Sequence, residues 1–466
     1  MLTQAHTQYG ILEGVVSNAG FALFRGVPYA APPVGELRWR PPQPPAKWEG
    51  IRKCDVYGPI CPQKPRPMVD ETGHDIVLVP NYPYPPDMDE DCLTLKIYTP
   101  AQSPEDKLPV MLYIHGGGVQ EHFGSDYEYC GDGYCQNGCI LVSINYRLNV
   151  FGYFVHPELA AESENNASGN YGLMDQIQAL KWVKENIAAF GGDPENITIF
   201  GQSGGGRSVQ AICCAPSTKG LFQRASIHSA GGIYTSFGPV SREEMERRGT
   251  DFMQSAGCAN IAELRTLKWQ VLLEKFLAYA DKVGMFLGFN IYADGGVLPE
   301  SLERSVALGY NHDVDYIVGC TVDEGVNPKK NRFNFNILAS VQGWGTQQLK
   351  NAKKPIYIYC FDRPQPGDDV GTPHSCDVRY LFGSLDGTWR PYAEADYALS
   401  QTMITYWSNF AKTGNPNGEG LSDWVPFDKK KLVMRLGADK CEMHNYSVID
   451  RIALDERQYI ANALGE

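Results

Sequence analysis

The sequence predicts an α/β fold in which a mainly parallel central sheet is flanked by helices. Short segments rich in Val, Ile, Leu and Tyr alternate along the chain with segments of helical periodicity. Near-continuous apolar runs of strand length are typical of parallel strands buried on both faces, and their alternation with helices favours a parallel sheet. The predicted strands are Leu93–Tyr98, Val110–Ile114, Ile140–Asn145, Ile197–Phe200, Ala225–His228, Tyr316–Gly319 and Ile356–Cys360.

Helical periodicity is clearest over Leu173–Phe190, where apolar residues recur at spacings of three and four and Gly191-Gly192 ends the pattern. Ser241-Arg-Glu-Glu fits a capping box and predicts that a helix begins there. We expect residues 1–466 to form a single domain, with a helical excursion over the sheet's carboxyl edge at about 241–285. Further helices are predicted at Ile261–Lys282, Tyr397–Thr413 and Asp450–Ala463.

Composition limits the function classes and the partners. The chain has 466 residues and a net charge of −13, so it repels phosphate backbones and anionic lipid; neither nucleic-acid nor membrane partners are expected. No apolar run approaches the roughly 20 residues of a membrane helix. The first residues carry neither Lys or Arg nor an apolar stretch, so we expect a cytoplasmic protein whose thirteen cysteines are reduced thiols. The oligomeric state is left open.

A candidate nucleophile follows the β-branched segment that begins at Ile197. The sequence there reads Gly201-Gln-Ser203-Gly-Gly205 and continues into an apparently helical segment, Ser208–Cys213. A tight strand-to-helix turn lifts a serine above the sheet, and small residues two positions either side allow that turn. The following helix amino terminus places free N–H groups near developing negative charge. This context predicts that Ser203 is a nucleophile.

A glycine run, His115-Gly-Gly-Gly118, follows the predicted strand Val110–Ile114. An acyl-transfer enzyme needs N–H donors aimed at a tetrahedral oxyanion, and glycine lets the backbone present them without an obstructing side chain. A phosphate loop is disfavoured because no Gly-Lys-Ser/Thr follows. We interpret His115 as a residue that anchors the loop by hydrogen bonds, not as a catalytic base.

The order Ser, then Asp or Glu, then His is expected for a triad on this type of turn. Of the later histidines, His374 is best placed, because it lies in a loop rich in Gly, Asp and Pro after the strand Ile356–Cys360. Asp323 and Glu324 directly follow the strand Tyr316–Gly319, and their position alone does not choose between them. The less favoured histidines are His228, His312 and His444.

Ordered motifs then run through nearly the whole chain. They are Phe24-Arg-Gly-Val-Pro-Tyr-Ala, Glu90-Asp-Cys-Leu, the run from His115 to Gly118, Asn170-Tyr-Gly-Leu-Met-Asp-Gln, Phe190-Gly-Gly-Asp-Pro-Glu-Asn, the Ser203 turn, Asp323-Glu-Gly, His374-Ser-Cys-Asp and Asn409-Phe-Ala-Lys-Thr-Gly-Asn-Pro. With them the chain resembles the type-B carboxylesterases of the α/β-hydrolase fold. That group comprises bacterial para-nitrobenzyl esterases, animal carboxylesterases and cholinesterases.

The resemblance implies a serine carboxylic-ester hydrolase that needs neither cofactor nor metal and acts on small-molecule esters. By position, Ser203 matches the nucleophile, Glu324 the acid and His374 the base. The implied oxyanion donors are Gly117, Gly118 and Gly204. The alternatives are a catalytically inactive, cholinesterase-like binding module and an amidase of the same fold.

Two departures from the resembled pattern bear on the pocket. Gln202 stands where the family usually has Glu, which removes a negative charge and favours neutral esters over choline esters. Only 50 residues separate Glu324 from His374, and this short separation predicts a reduced pocket wall between Asn327 and Lys353. A proline-stiffened loop carrying Tyr82 and Tyr84 is a candidate lining of the mouth.

The resemblance also bears on the cysteines. Cys61 and Cys92 match the positions where many secreted members carry a disulfide. Because no export is expected for this chain, we predict that both are free thiols.

Overall fold

The computed structural model describes residues 1–65, 73–74, 86–233, 240–284, 288–324, 337–446 and 461. Strands in these residues form a large sheet and a small one. In chain order they are β1 (Gln4–Thr7), β2 (Gly10–Glu13), β3 (Val15–Val16), β4 (Ala22–Pro28), β5 (Ile51–Lys53), β6 (Thr94–Thr99), β7 (Leu108–Ile114), β8 (Ile140–Ile144), β9 (Gly192–Gln202), β10 (Arg224–His228), β11 (Asp315–Thr321), β12 (Ile356–Phe361), β13 (Val433–Leu436) and β14 (Cys441–His444).

The large sheet has the order β14-β13-β12-β11-β10-β9-β7-β8-β6-β4-β3 in the described residues, and β1, β2 and β5 form the small one. Its central strands, β7 to β13, pair in parallel, whereas β6, β4 and β3 on one side and β14 on the other are antiparallel. The predicted mainly parallel sheet is therefore confirmed. All seven predicted strands are present, with ends shifted by a few residues.

Helices cover both faces of this sheet. They are α1 (Asp132–Gln136), α2 (Asn149–Tyr153), α3 (Pro157–Ala161), α4 (Tyr171–Asn186), α5 (Gly204–Cys214), α6 (Arg242–Ser255), α7 (Ile261–Thr266), α8 (Trp269–Val283), α9 (Leu302–Ala307), α10 (Ile337–Lys350), α11 (Val378–Phe382) and α12 (Glu394–Thr413). Alternate residues of β7 pack into two cores, Leu112 with α4 and α5 on one face and Met111 with α11 and α12 on the other.

The predicted helix Leu173–Phe190 is α4 followed by a 3-10 turn over Ile187–Phe190, and Gly191 ends it at a φ of +80°. Only half of the predicted capping box forms at α6. The Ser241 hydroxyl accepts from the Glu244 N–H, but the Glu244 carboxylate pairs with Arg247 and Arg248 instead of turning back. The predicted helix Asp450–Ala463 lies outside the described residues, apart from position 461.

The single helix predicted over Ile261–Lys282 was wrong, because the structure divides it into α7 and α8. The buried Arg38 guanidinium donates to the carbonyls of Arg265 and Leu267, at 2.9 and 2.7 Å. Those carbonyls therefore do not accept the hydrogen bonds that would continue the helix, and the backbone of Leu267 is extended. Glu90 holds Arg38 in place, with Oε1 2.7 Å from Nε.

The remaining expectations concern two cysteines, the pocket wall, the tyrosine loop and membrane helices. Cys61 and Cys92 are buried, unlinked thiols, and contact with Cys61 together with burial raises the pKa of Cys92. The segment between Asn327 and Lys353, where we expect a reduced pocket wall, contains α10. Tyr82 and Tyr84 lie outside the described residues, and no helix in the described part of the chain is long and apolar enough to cross a membrane.

Candidate active site

Ser203 stands on a sharp turn between β9 and α5. Its φ of +55° and ψ of −123° are unusual for a residue with a side chain and mark stored backbone strain. The turn is held by the Ser203 N–H, which donates to the His228 carbonyl at 2.8 Å. A Cβ on Gly201 would lie 2.6 Å from the backbone of Gly205, and one on Gly205 would collide with the Ile114 carbonyl. The glycines on both sides of Ser203 are thus required by close backbone packing.

The carboxyl ends of three parallel strands bring Ser203, His374 and Glu324 together. Ser203 follows β9, Glu324 follows β11, and His374 lies in the loop after β12. His374 Nε2 is 2.8 Å from Ser203 Oγ, and His374 Nδ1 is 2.6 Å from Glu324 Oε2. The other carboxylate oxygen of Glu324 accepts from the Thr321 N–H at 3.1 Å. A continuous hydrogen-bond chain therefore runs from the serine through the imidazole to the buried carboxylate.

The imidazole and the carboxylate stabilise each other's charged forms. Burial disfavours ionisation of both groups, but their mutual attraction and hydrogen bond outweigh it. The pKa of Glu324 is lowered, and the pKa of His374 is raised above its usual 6.5. The Glu324 side chain is only 5% exposed, whereas that of His374 is 39% exposed. The imidazole is thus accessible from solvent, while the carboxylate is shielded from it.

Asp323 and Glu324, which their position after the strand did not distinguish, point to different partners. Glu324 contacts His374, whereas Asp323 Oδ2 accepts from the Thr372 N–H at 2.8 Å. The Asp323 N–H donates in turn to the Thr372 carbonyl at 3.3 Å. Asp323 therefore fastens the histidine loop two residues before His374.

The predicted oxyanion glycines lie against the amino terminus of α5. Gly117 and Gly118 adopt φ angles of +88° and +61°, which favour glycine. A Cβ on Gly204 would lie 2.7 Å from the Gly118 nitrogen, so these two backbones are in close contact beside Ser203. The structure thus gathers all six predicted site residues at one edge of the sheet.

The other histidines considered from the sequence contact groups that hold the fold. His115 Nδ1 donates to the Gly116 carbonyl at 3.0 Å, and its ring stacks on Tyr146. His312 bonds the Thr218 hydroxyl at 2.9 Å, and His444 lies on β14 at the far edge of the sheet. The anchoring role expected for His115 agrees with these contacts.

A buried polar network lies behind Glu324 and His374, and sequence reasoning did not connect its members. Tyr359 Oη is 2.8 Å from His228 Nδ1 and 3.1 Å from Asp377 Oδ2, and His228 Nε2 is 2.9 Å from Ser226 Oγ. Burial and the nearby Glu324 charge raise the pKa of Asp377 to about 6, and burial lowers the pKa of His228 to about 3. The signals in the sequence were His228, one of the less favoured histidines, and Asp377, the last residue of the motif that begins at His374.

The profile of the Carboxylesterase family matches residues 2–336 and 331–450. The chain belongs to the carboxylesterase family. This carboxylesterase is 33% identical to the para-nitrobenzyl esterase of Bacillus subtilis, over 91% of this chain and 92% of the relative. It is 31% identical to the phenmedipham hydrolase of Pseudarthrobacter oxydans, with the same coverage of both chains. The predicted family is thereby confirmed, and the protein is a carboxylic-ester hydrolase.

Solved structures agree with this assignment. A thermophilic PNB esterase superposes with a TM-score of 0.82 at 29% identity, covering 99% of this chain and 100% of the other. The Geobacillus stearothermophilus carboxylesterase superposes with a TM-score of 0.80 at 26% identity, covering 98% and 99%. The carboxylesterase described here therefore has the α/β-hydrolase fold that the sequence predicted.

Proposed function

We propose that this carboxylesterase cleaves its ester by nucleophilic catalysis through Ser203, His374 and Glu324, with an acyl-enzyme intermediate. One observation carries the proposal: the unbroken hydrogen-bond chain from Ser203 Oγ to the buried Glu324 carboxylate. An inactive binding module has no need of a strained serine aligned with a base. We also propose that residues 1–466 act as one catalytic domain, with α6 to α8 as its cap.

The geometry supports a two-step reaction. His374 Nε2 accepts the Ser203 proton as Oγ attacks the ester carbonyl, and Glu324 stabilises the imidazolium that forms. The N–H groups of Gly117, Gly118 and Gly204 would stabilise the tetrahedral oxyanion. His374 then returns the proton to the departing alcohol. In the second step it takes a proton from water, which attacks the acyl-enzyme, and it then gives that proton to Ser203 Oγ as the acid is released.

A para-nitrophenyl ester tests this mechanism, because acylation releases a coloured phenol. With an acyl group chosen so that deacylation limits turnover, stopped-flow mixing should give a burst close to the concentration of active sites. Ser203→Ala should abolish the burst and lower kcat by roughly 10⁴ while the melting temperature stays near that of the wild type. Full activity in a folded Ser203→Ala variant would contradict the proposed nucleophile.

The proposed substrates are neutral small-molecule esters. The residue before Ser203 is Gln202, whose uncharged amide nitrogen lies 3.4 Å from His374 Nε2. With no carboxylate at this position, the site offers no attraction there to a quaternary ammonium group. We expect a higher kcat/KM for a neutral alkyl ester than for a choline ester of equal acyl length. Equal or better use of the choline ester would contradict this specificity.

A further inference from the structure

The loop that carries His374 is fixed to neighbouring elements on both sides of the histidine. Before it, Asp323 holds the Thr372 backbone. After it comes Ser375, whose φ of +72° is costly for a residue with a Cβ. Such a conformation persists only where surrounding contacts impose it, and the loop between β12 and α11 has no regular secondary structure of its own.

The contact on the far side of the histidine comes from the end of β9. Gln202 Nε2 donates to Ser375 Oγ at 2.8 Å, and the same nitrogen lies 3.4 Å from His374 Nε2. Gln202 is 4% exposed, and the bond joins residues 173 positions apart. The residue next to the nucleophile is thus bonded to the residue next to the base.

We propose that Gln202 and Ser375 are positioning residues that form a clamp, in which the Gln202–Ser375 hydrogen bond holds the His374 loop against the nucleophile turn. This inference rests on the proposed function and deepens it. The clamp maintains the strained turn at Ser375 and so keeps His374 Nε2 within hydrogen-bond distance of Ser203.

The chemistry of the clamp also affects the imidazole. An amide N–H can only donate, so the Ser375 hydroxyl accepts and the Gln202 nitrogen faces the imidazole. In the resting state this causes no conflict, because His374 Nε2 accepts the serine proton. Once the imidazole is protonated, a neighbouring donor gives it no stabilisation, whereas a carboxylate would. The clamp therefore positions the base without raising its pKa.

A double-mutant cycle on kcat tests the clamp. Gln202→Met and Ser375→Ala should each lower kcat for a para-nitrophenyl ester about fivefold, the loss expected for one neutral hydrogen bond. The double variant should be no slower than either single variant, because both remove the same interaction. Losses that multiply in the double variant, or an unchanged kcat in both singles, would overturn the clamp.

Gln202→Glu separates positioning from a merely structural role. A glutamate can accept from the Ser375 hydroxyl, so this variant should recover most of the plateau kcat that Gln202→Met loses. Its carboxylate should also shift the acid limb of the kcat/KM profile upward by about one pH unit, because it favours the imidazolium. The other titratable groups acting on His374, namely Glu324 and Asp377, are unchanged. A glutamate variant as slow as the methionine variant, with an unshifted limb, would refute the clamp.

Two further variants control for backbone strain. Ser375→Gly removes the hydroxyl and also relieves the positive φ, so it should fold at least as well as Ser375→Ala but share its lowered kcat. Lys107→Gly relieves a φ of +52° at an exposed turn and should leave kcat unchanged. Wild-type kcat in Ser375→Gly would mean that strain, not the clamp, controls the rate.

Labelling with a fluorophosphonate distinguishes the clamp from the underlying mechanism. A wild-type protein that shows no burst and no label on Ser203 would overturn both proposals. A labelled, active wild type whose two single variants act independently would overturn the clamp alone.

Discussion

At the scale of single residues, two neighbouring carboxylates have separate tasks. Glu324 contacts the imidazole, whereas Asp323 holds the loop backbone. Glu324→Gln should lower kcat by roughly 10³ to 10⁴, because the imidazolium loses its counter-charge. Asp323→Asn should cost less than about tenfold, since an amide oxygen can still accept from Thr372. Steady-state kinetics on both variants, matched for melting temperature, checks the ranking, and the reverse order would transfer the acid role to Asp323.

The raised pKa of His374 predicts the acid limb of the pH profile. The proposed mechanism needs the neutral imidazole, and the Glu324 charge favours the protonated form. Activity should therefore fall as the pH drops through a value above 6.5, and kcat/KM for a neutral ester should plateau on the alkaline side. A free-enzyme limb below pH 6 would show that burial outweighs the attraction of Glu324.

The two carboxylates also show which features of the site could not be predicted from local sequence. The turn at Ser203 was predictable because a strand, a glycine-flanked serine and a helix are contiguous. Asp323 and Glu324 leave the strand end in different directions, and their place directly after the strand does not encode this difference. The partners Gln202 and Ser375 are 173 positions apart, so their contact exists only once the sheet has formed.

At the scale of elements, backbone atoms set the distance at which α5 packs against β7. A Cβ on Gly205 would meet the Ile114 carbonyl, which has no flexible side chain to move aside. Gly205→Ala should therefore destabilise the fold by at least about 3 kcal/mol, measured by urea unfolding. Gly296→Ala is a control, because its Cβ would meet side-chain atoms and no backbone, those of Ala167 at 3.3 Å and of Asn165 and Asp294 at 3.8 Å. A Gly205→Ala variant within 1 kcal/mol of wild type would contradict this packing constraint.

Helices and strands could be predicted where the residues that cause them to form are contiguous in the sequence. The seven predicted strands and α4 were predictable because their apolar spacing is itself the cause of their burial. The break between α7 and α8 was not, because it is made by Arg38, which lies 227 residues from Arg265. Helical periodicity continues across the break, whereas the hydrogen bonds do not.

At the scale of the whole molecule, the oxidation state of the cysteines can be measured directly. All thirteen are unlinked, and Cys61 and Cys92 are adjacent in the core. Thiol titration of denatured, unreduced protein made in a reducing cytosol should report about thirteen thiols per chain. Two fewer, with Cys61 joined to Cys92 in the mass spectrum, would indicate instead that the fold drives formation of this disulfide.

The Arg38 contact also sets an order of events during synthesis. Arg38 and Glu90 leave the ribosome well before the carbonyls of Arg265 and Leu267 that cover them. At about 5 to 20 residues per second, the 227 residues between Arg38 and Arg265 take about 11 to 45 s to translate. During that interval the nascent chain contains Arg38 but not the two carbonyl groups that bind it. The contact between α7 and Arg38 can therefore form only after the segment that carries Arg38 and Glu90 has been made.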